Sequence, residues 1–382
     1  MKILAISHES SATGAPIFFE TLLSWFKKSG HDIEIVVLKD GVIRSQFERL
    51  GRTLFLSDLT PNSRDSALRE FFSGKDYEAI YLNTLETSHV LSFLVEESLV
   101  PDHVLVISHI HELEGTIQKY GPQRIGILNS RANLIFCVSN AVRDNLVHHH
   151  SFSPEKIKVV NPCSRKLISA DFAGSDANWF QERADHSVIL GCGEISVGKG
   201  VDAFINAAVS LRRIYRERGV MENFSFVWLG PDSYSIKSYF DRDIEILGLT
   251  DAVRIFTHRD NVQPFFSKSD FFFMCSRQDS FPLVCLEAAS LKKPIVYFPD
   301  AGGIKEFLGS DAGFPLAYLD SQGAANLFWK MISGEVDYSG AVELAHSRWA
   351  ESYSAEKICG KVEKIMAELG SVRACVRDEG KC

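Results

Sequence analysis

The sequence predicts an α/β protein built as two Rossmann-like domains, each around a parallel sheet. Three observations predict it. Short apolar runs alternate with longer amphipathic stretches from the first residue onward, which is the pattern of βαβ units. The pattern breaks off in the polar stretch Ser164 to His186 and then starts again. At 382 residues the chain exceeds one ordinary core and suits two, since single cores stop growing beyond about 250 to 300 residues.

The first half supplies six expected strands: KILAIS (2–7), DIEIVVL (32–38), AIYL (79–82), HVLVIS (103–108), NLIFCV (133–138) and KIKVV (156–160). Between the first two, Ala15 to Lys28 places Ile17, Leu22, Trp25 and Phe26 at near-helical spacing, with Gly30 as the expected C-cap. Five more strands follow the break: SVILGCG (187–193), FSFVWLG (224–230), VRIF (253–256), FFFM (271–274) and PIVYF (294–298). Asn161-Pro162 ends a strand and DFAGSDANW reads as a linker, so the boundary falls within 162–186, giving domains 1–165 and 166–350. The amphipathic stretch Ala355 to Leu369 makes 351–370 a C-terminal helix, and 371–382, with little to bury, is expected to be a flexible tail.

Hydrophobic residues at 45% and charged residues at 24% are the proportions of a soluble globular protein. A formal net charge of −8 argues against binding a long run of nucleic-acid phosphates. The apolar run near Met1 stops at Ser7, too early for a signal peptide, and no stretch approaches the ~20 apolar residues of a membrane span. The eight cysteines lack the paired spacing of zinc sites or disulfide scaffolds, so a reducing cytoplasm is expected.

Four segments carry chemistry. Gly14, in SATGAP between the first strand and the first helix, allows close backbone approach to an anion or sugar, or simply makes a tight turn. SHIHELEG (108–115) puts His109, His111, Glu112 and Glu114 near the carboxyl edge of a parallel sheet, where ligands bind. Metal ligation there lacks a second His/Cys cluster, and a hydrogen-bonding scaffold is the plainer alternative. GCGEISVGKGVDAF (191–204) runs a strand into a Gly-rich loop with Gly193 and Lys199, a point charge suited to a diphosphate. The acidic residue of a dinucleotide fingerprint, expected ~20 positions further on a second strand, is absent.

SRQDSFPLVCLEAASLKKPIVYF (276–298) is the most specific segment. Asp279 and Glu287 stand eight apart across a strand-to-helix turn, with Pro282 expected in the first helical turn. Free N–H groups of that turn can hold phosphate, and a carboxylate one turn deeper can accept hydrogen bonds from vicinal hydroxyls. A solvated Glu is the alternative, against which stand its neighbours Cys285, Leu286, Ala288 and Ala289. AGGIKEF (301–307) adds a second Gly-rich turn and Glu306, while Asp241-Arg242-Asp243 lies in a charged helical stretch and reads as a solvated face.

Together, TGAP, the HEL stretch, GxG with its downstream KG, and Asp-x7-Glu followed by Gly302-Gly303 resemble family 4 (GT4) of the retaining glycosyltransferases, of the bacterial polysaccharide-assembly type. The resemblance implies a GT-B fold, with the two sheets facing across a central cleft, the first domain taking the acceptor and the second a nucleotide-sugar donor. It implies that Glu287 binds the donor ribose, that Asp279 lies beside the transferred sugar, and that backbone at Phe281 and Leu283 touches phosphate. Lys199 and Gly14 would meet the diphosphate, Gly193 the donor, and His111 the transferring sugar; Glu112 and Gly303 are further candidates.

Two positions depart from the family pattern. Its usual Arg near the Lys is replaced by Glu194 and Gly198, leaving Arg259 or Arg277 to supply the second cation, and Pro282 stands where glycine is usual. The implied function is sugar transfer with retention to a saccharide or lipid-linked saccharide in surface polysaccharide synthesis, in the cytoplasm or at the inner face of the membrane. The nucleotide-sugar is a substrate, no metal or other cofactor is expected, and peripheral membrane contact fits a lipid-linked acceptor. A nucleotide-sugar 2-epimerase and a noncatalytic nucleotide-sugar binder are the alternatives.

Overall fold

The computed structural model describes residues 1–164, 166–172, 175–259 and 261–379, without the side chains of 175 and 371–379. The chain divides into two compact units, Met1–Cys163 with Ala355–Cys382, and Ser164–Ser354.

The first unit holds a seven-stranded parallel sheet of β1 (Lys2–Ser7), β2 (Asp32–Val37), β3 (Arg52–Phe55), β4 (Ala79–Asn83), β5 (Leu105–Ile110), β6 (Leu134–Cys137) and β7 (Ile157–Val159). Their order is β3-β2-β1-β4-β5-β6-β7. The second unit holds a six-stranded sheet of β8 (Ser187–Cys192), β9 (Phe224–Leu229), β10 (Val253–Phe256), β11 (Phe271–Met274), β12 (Ile295–Tyr297) and β13 (Phe314–Pro315). Its order is β10-β9-β8-β11-β12-β13, again all parallel.

Both orders reverse direction beside the first strand of the unit, between β1 and β4 and between β8 and β11. Such switch points open a crevice at the carboxyl ends of the strands, where ligands of open α/β sheets bind. The central strands are apolar because helices cover both faces: Ile3, Leu4, Ala5 and Ile6 are wholly buried, as are Ile189 and Leu190.

Two edge strands escape the sequence pattern. Arg-Thr-Leu-Phe of β3 has a polar first half because only one flank is paired; Arg52 reaches Glu34 at 3.3 Å and covers the Phe71 ring. β13 is two residues long and ends in Pro315, a residue suited to an edge.

DFAGSDANW is not a plain linker. Its described part includes the start of a helix, Ser175–Gln181, and Phe172 stacks on Phe180 at 4.3 Å against Phe265 and Phe256. Phe172 and Trp179 are half-buried there against the buried Phe180, which a polar reading of the segment hides. Pro282 sits one residue before its helix, Leu283–Ser290, in extended geometry. The first helix is Gly14–Lys28, capped by Ser29, with Gly30 following at φ +87. The last helix, Ala355–Glu379, belongs to the first unit, where Glu363 accepts from Trp25 Nε1, Ser29 Oγ and His31 Nε2 at 2.7, 3.1 and 2.9 Å. The expected tail 371–382 falls on side chains, and at 380–382 on backbone, outside the described residues.

Candidate functional site

In the second unit, β8 leads into the loop Gly193–Gly200. Gly200 takes φ +84, and a Cβ there would sit 2.0 Å from the Cys275 carbonyl oxygen, so only glycine lets this loop lie on the end of β11. The backbone N–H of Arg277 donates to Gly198 O at 2.9 Å, joining the two loops. Asp279 is fixed by its own backbone, donating to Ala301 O at 2.7 Å and accepting from Gly303 N–H at 3.2 Å. The switch point therefore carries Lys199 on one side and Asp279 on the other. Their side chains meet, with Lys199 Nζ 2.6 Å from Asp279 Oδ2.

Burial works against the Lys199 charge, but Asp279, with Glu194 beyond it, outweighs burial and raises its pKa above the usual lysine value. Lys199 is thus a fixed cation. Glu287 lies one turn into the helix Leu283–Ser290, half-buried. The half-buried Cys192 thiol is pushed up first by desolvation and then by the Glu287 charge, with Lys199 opposing, so all three share one neighbourhood at the end of β8. The N–H groups of Leu283 and Val284 open that helix and have no acceptor within it. The Phe281 ring is buried and stacked on Tyr353 at 5.7 Å, which leaves its backbone as the part available to a ligand.

The two arginines considered as second cations are engaged elsewhere. Arg259 grips Asp176 with Nε at 2.7 Å and Nη2 at 3.1 Å, and Arg277 grips Asp202 with both Nη atoms at 2.7 Å. Gly193 packs against the Lys199 stem and its carbonyl accepts from Trp228 Nε1 at 2.9 Å. Asp241, of the Asp-x-Asp, pairs with Lys237 on an exposed helix face. Among the described residues no group of three or more His, Cys, Asp and Glu side chains could hold a metal ion.

In the first unit, Gly14 opens the helix Gly14–Lys28 and is exposed, after β1. His109 and His111 end β5 and follow it, their rings 4.9 Å apart and both against Phe18. His109 is scaffold: fully buried, bonded through Nδ1 to Tyr81 Oη at 2.9 Å, its pKa driven to about 3 by burial. Burial, followed by His109 and His8, also holds His111 well below the ordinary value. Glu112 is buried and bridges two loops, accepting from Leu85 N–H at 2.8 Å and His111 N–H at 2.9 Å. Burial pushes its carboxyl up to about 7 against the pull of those N–H groups.

Sequence reasoning passed over Asn83 and Thr84, at the carboxyl end of β4. Asn83 is wholly buried and touches both Ala15 O, at 3.2 Å, and His111 Nε2, at 2.9 Å. Thr84 takes φ +78 with a buried hydroxyl that has no hydrogen-bond partner among the described residues, a strained geometry for a β-branched residue of the kind that clusters at functional sites. The available signal was an Asn closing an otherwise apolar strand.

Residues 186–333 match the family Glycosyl transferases group 1. The second unit is thus similar to group 1 glycosyl transferases over the stretch that holds Lys199, Asp279 and Glu287. A D-inositol 3-phosphate glycosyltransferase of Paenarthrobacter aurescens is 29% identical over 202 residues, 50% of this chain and 46% of that protein, so the match spans about half the length of the relative. Over the whole fold, HepE of Anabaena in complex with UDP and glucose aligns with TM-score 0.77 and 17% identity, covering 96% of this chain and 99% of that one. Sucrose-phosphate synthase from Thermosynechococcus elongatus aligns with TM-score 0.77 and 14% identity over 97% and 100%. WaaG, a glycosyltransferase involved in lipopolysaccharide biosynthesis, aligns with TM-score 0.70 and 15% identity over 95% and 99%. The fold is that of the GT-B glycosyltransferase structures. Among the described residues no helix is long and apolar enough to cross a membrane.

Proposed function

We propose that the protein is a retaining glycosyltransferase that moves a sugar from a nucleotide-sugar donor to a saccharide or lipid-linked saccharide, in surface polysaccharide assembly. The observation that carries this is the Lys199–Asp279 pair, with Glu287 close by, at the switch point of a sheet in the segment similar to group 1 glycosyl transferases. Departure of a nucleoside diphosphate leaves an oxocarbenium-like sugar, so the site needs fixed positive charge and N–H dipoles on the leaving group. Lys199 and the opening N–H groups of the helix Leu283–Ser290 supply them. Glu287 is suited to the ribose hydroxyls, Asp279 to the transferring sugar, and His111 to a hydroxyl of that sugar. The reading puts the protein in the cytoplasm, at the inner face of the membrane where the acceptor is lipid-linked.

The test is a thermal-shift screen of UDP-, GDP- and ADP-sugars, followed by turnover of the stabilising donor with saccharide and cyclitol-phosphate acceptors. A true donor at a hundredfold excess over its dissociation constant adds about 2.7 kcal/mol of stability. UDP-sugars come first because HepE binds UDP and glucose. No shift with any donor overturns the reading. The engagement of Arg259 and Arg277 by carboxylates favours a second reading, a nucleotide-sugar binder without turnover, which predicts a shift and no product. Interconversion of the donor sugar without acceptor indicates an epimerase instead.

A further inference from the structure

We infer that Asn83 is a positioning residue that fixes the His111 tautomer, holding the proton on Nε2 and presenting Nδ1 as a hydrogen-bond acceptor for a hydroxyl group. The inference rests on the proposed sugar transfer for its purpose but not for its geometry. Asn83 closes β4, in register with Ser7 on β1 and His109 on β5, so it sits at the switch point of the first sheet. Its two amide atoms are not interchangeable here. A backbone carbonyl only accepts, so the atom 3.2 Å from Ala15 O is the Nδ2 donor. The other atom, Oδ1, is then left facing His111 Nε2 at 2.9 Å. An amide oxygen accepts only, so His111 donates from Nε2.

A neutral imidazole with its proton on Nε2 carries a lone pair on Nδ1. Among the described residues that atom has no hydrogen-bond partner, whereas the main-chain N–H of the same residue is held by Glu112. Burial and the neighbouring His109 and His8 keep the ring neutral, so the tautomer is not erased by protonation. Asn83 also ties the turn at Gly14–Ala15 to His111, two segments the sequence shows only as separate motifs. The ring is therefore built to accept from a ligand hydroxyl and is not built to donate to a leaving group.

The experiment records long-range proton–nitrogen NMR spectra of the full chain with nitrogen-labelled histidine, in the absence of substrate, with His111→Gln assigning the signal. The wild type is expected to show one neutral tautomer protonated at Nε2, and Asn83→Ala a mixture of both. Asn83→Asp retains an acceptor for Nε2–H and is expected to restore the single tautomer. A wild-type ring protonated at Nδ1, or a ring in Asn83→Ala indistinguishable from wild type, overturns the inference, and the wild-type spectrum decides even where a variant does not fold. With a working donor, Asn83→Ala is expected to lower kcat on the order of tenfold, the worth of one hydrogen bond, with donor KM nearly unchanged. Absence of donor turnover in the wild type refutes the transferase reading and leaves the tautomer result standing.

Discussion

Lys199 Nζ lies 2.6 Å from Asp279 Oδ2, across the gap between the loops that follow β8 and β11. The Asp279 side chain is 11% exposed and that of Lys199 34%, so the carboxylate is the inner partner and the cation is the one a ligand meets. A diphosphate arriving at Lys199 competes with Asp279 in the ground state. As the bond to the sugar breaks, charge on the diphosphate grows and the competition tilts toward the leaving group.

Lys199→Ala is expected to slow transfer far more than it weakens donor binding. Loss of one such stabiliser costs on the order of 10² to 10³ in rate, and Arg259 and Arg277 are held by Asp176 and Asp202. Steady-state kinetics and calorimetry on the same variant separate the effects. Turnover within a few-fold of wild type, or a rise in KM alone, shows that another group holds the leaving diphosphate.

Glu287→Ala is expected to abolish donor binding while leaving the fold intact. The residue is half-buried one turn past the opening N–H groups of its helix, and the core around it is made by Cys285, Leu286 and Ala288. Calorimetry with the donor, beside an unchanged circular-dichroism spectrum, checks both halves. Donor affinity equal to wild type sinks the assignment.

The central strands were legible because burial on both faces writes an unbroken apolar run, as in Val188 to Leu190 and Phe271 to Met274. The edge strands β3 and β13 were not, because a half-paired strand tolerates Arg52 and Pro315. For the candidate site, spacing showed Lys199 and Asp279 each on its own loop, but their contact is set by strand order, and β8 and β11 are neighbours only because the sheet reverses there. Asn83 was invisible for a related reason. Its role comes from two partners, Ala15 and His111, that lie 68 and 28 residues away.

Activity is expected to survive EDTA, with Lys199 and helix N–H groups acting on the leaving diphosphate. The check is donor turnover before and after chelation. Complete loss that magnesium or manganese restores would point to a metal in the reaction.

The product is expected to keep the anomeric configuration of the donor. A proton coupling constant measured at the new linkage decides it. An inverted product would require a base placed behind the sugar, a role that none of Lys199, Asp279 and His111 is proposed to fill.

Glu112 predicts a pH-dependent stability. Its carboxyl sits at about 7 in the folded protein against an ordinary 4.5, with burial as the main cause. Below pH 4.5 it is protonated in both folded and unfolded chains, so the stability it leaves is fully present there. Between pH 4.5 and 7 the unfolded chain loses the proton first, and stability falls with rising pH by about 1.4 kcal/mol per unit, then levels off above 7. Glu112→Gln removes that titration. Its amide also turns a donor toward the backbone N–H of Leu85 or of His111, a pH-independent cost of about 1 to 3 kcal/mol. Urea melts from pH 4 to 8 should therefore show the variant weaker at pH 4.5 but with a flatter decline toward pH 7 than wild type. Two parallel curves would mean that the carboxyl ionises at its ordinary pH and that the bridge between Leu85 and His111 is a carboxylate throughout.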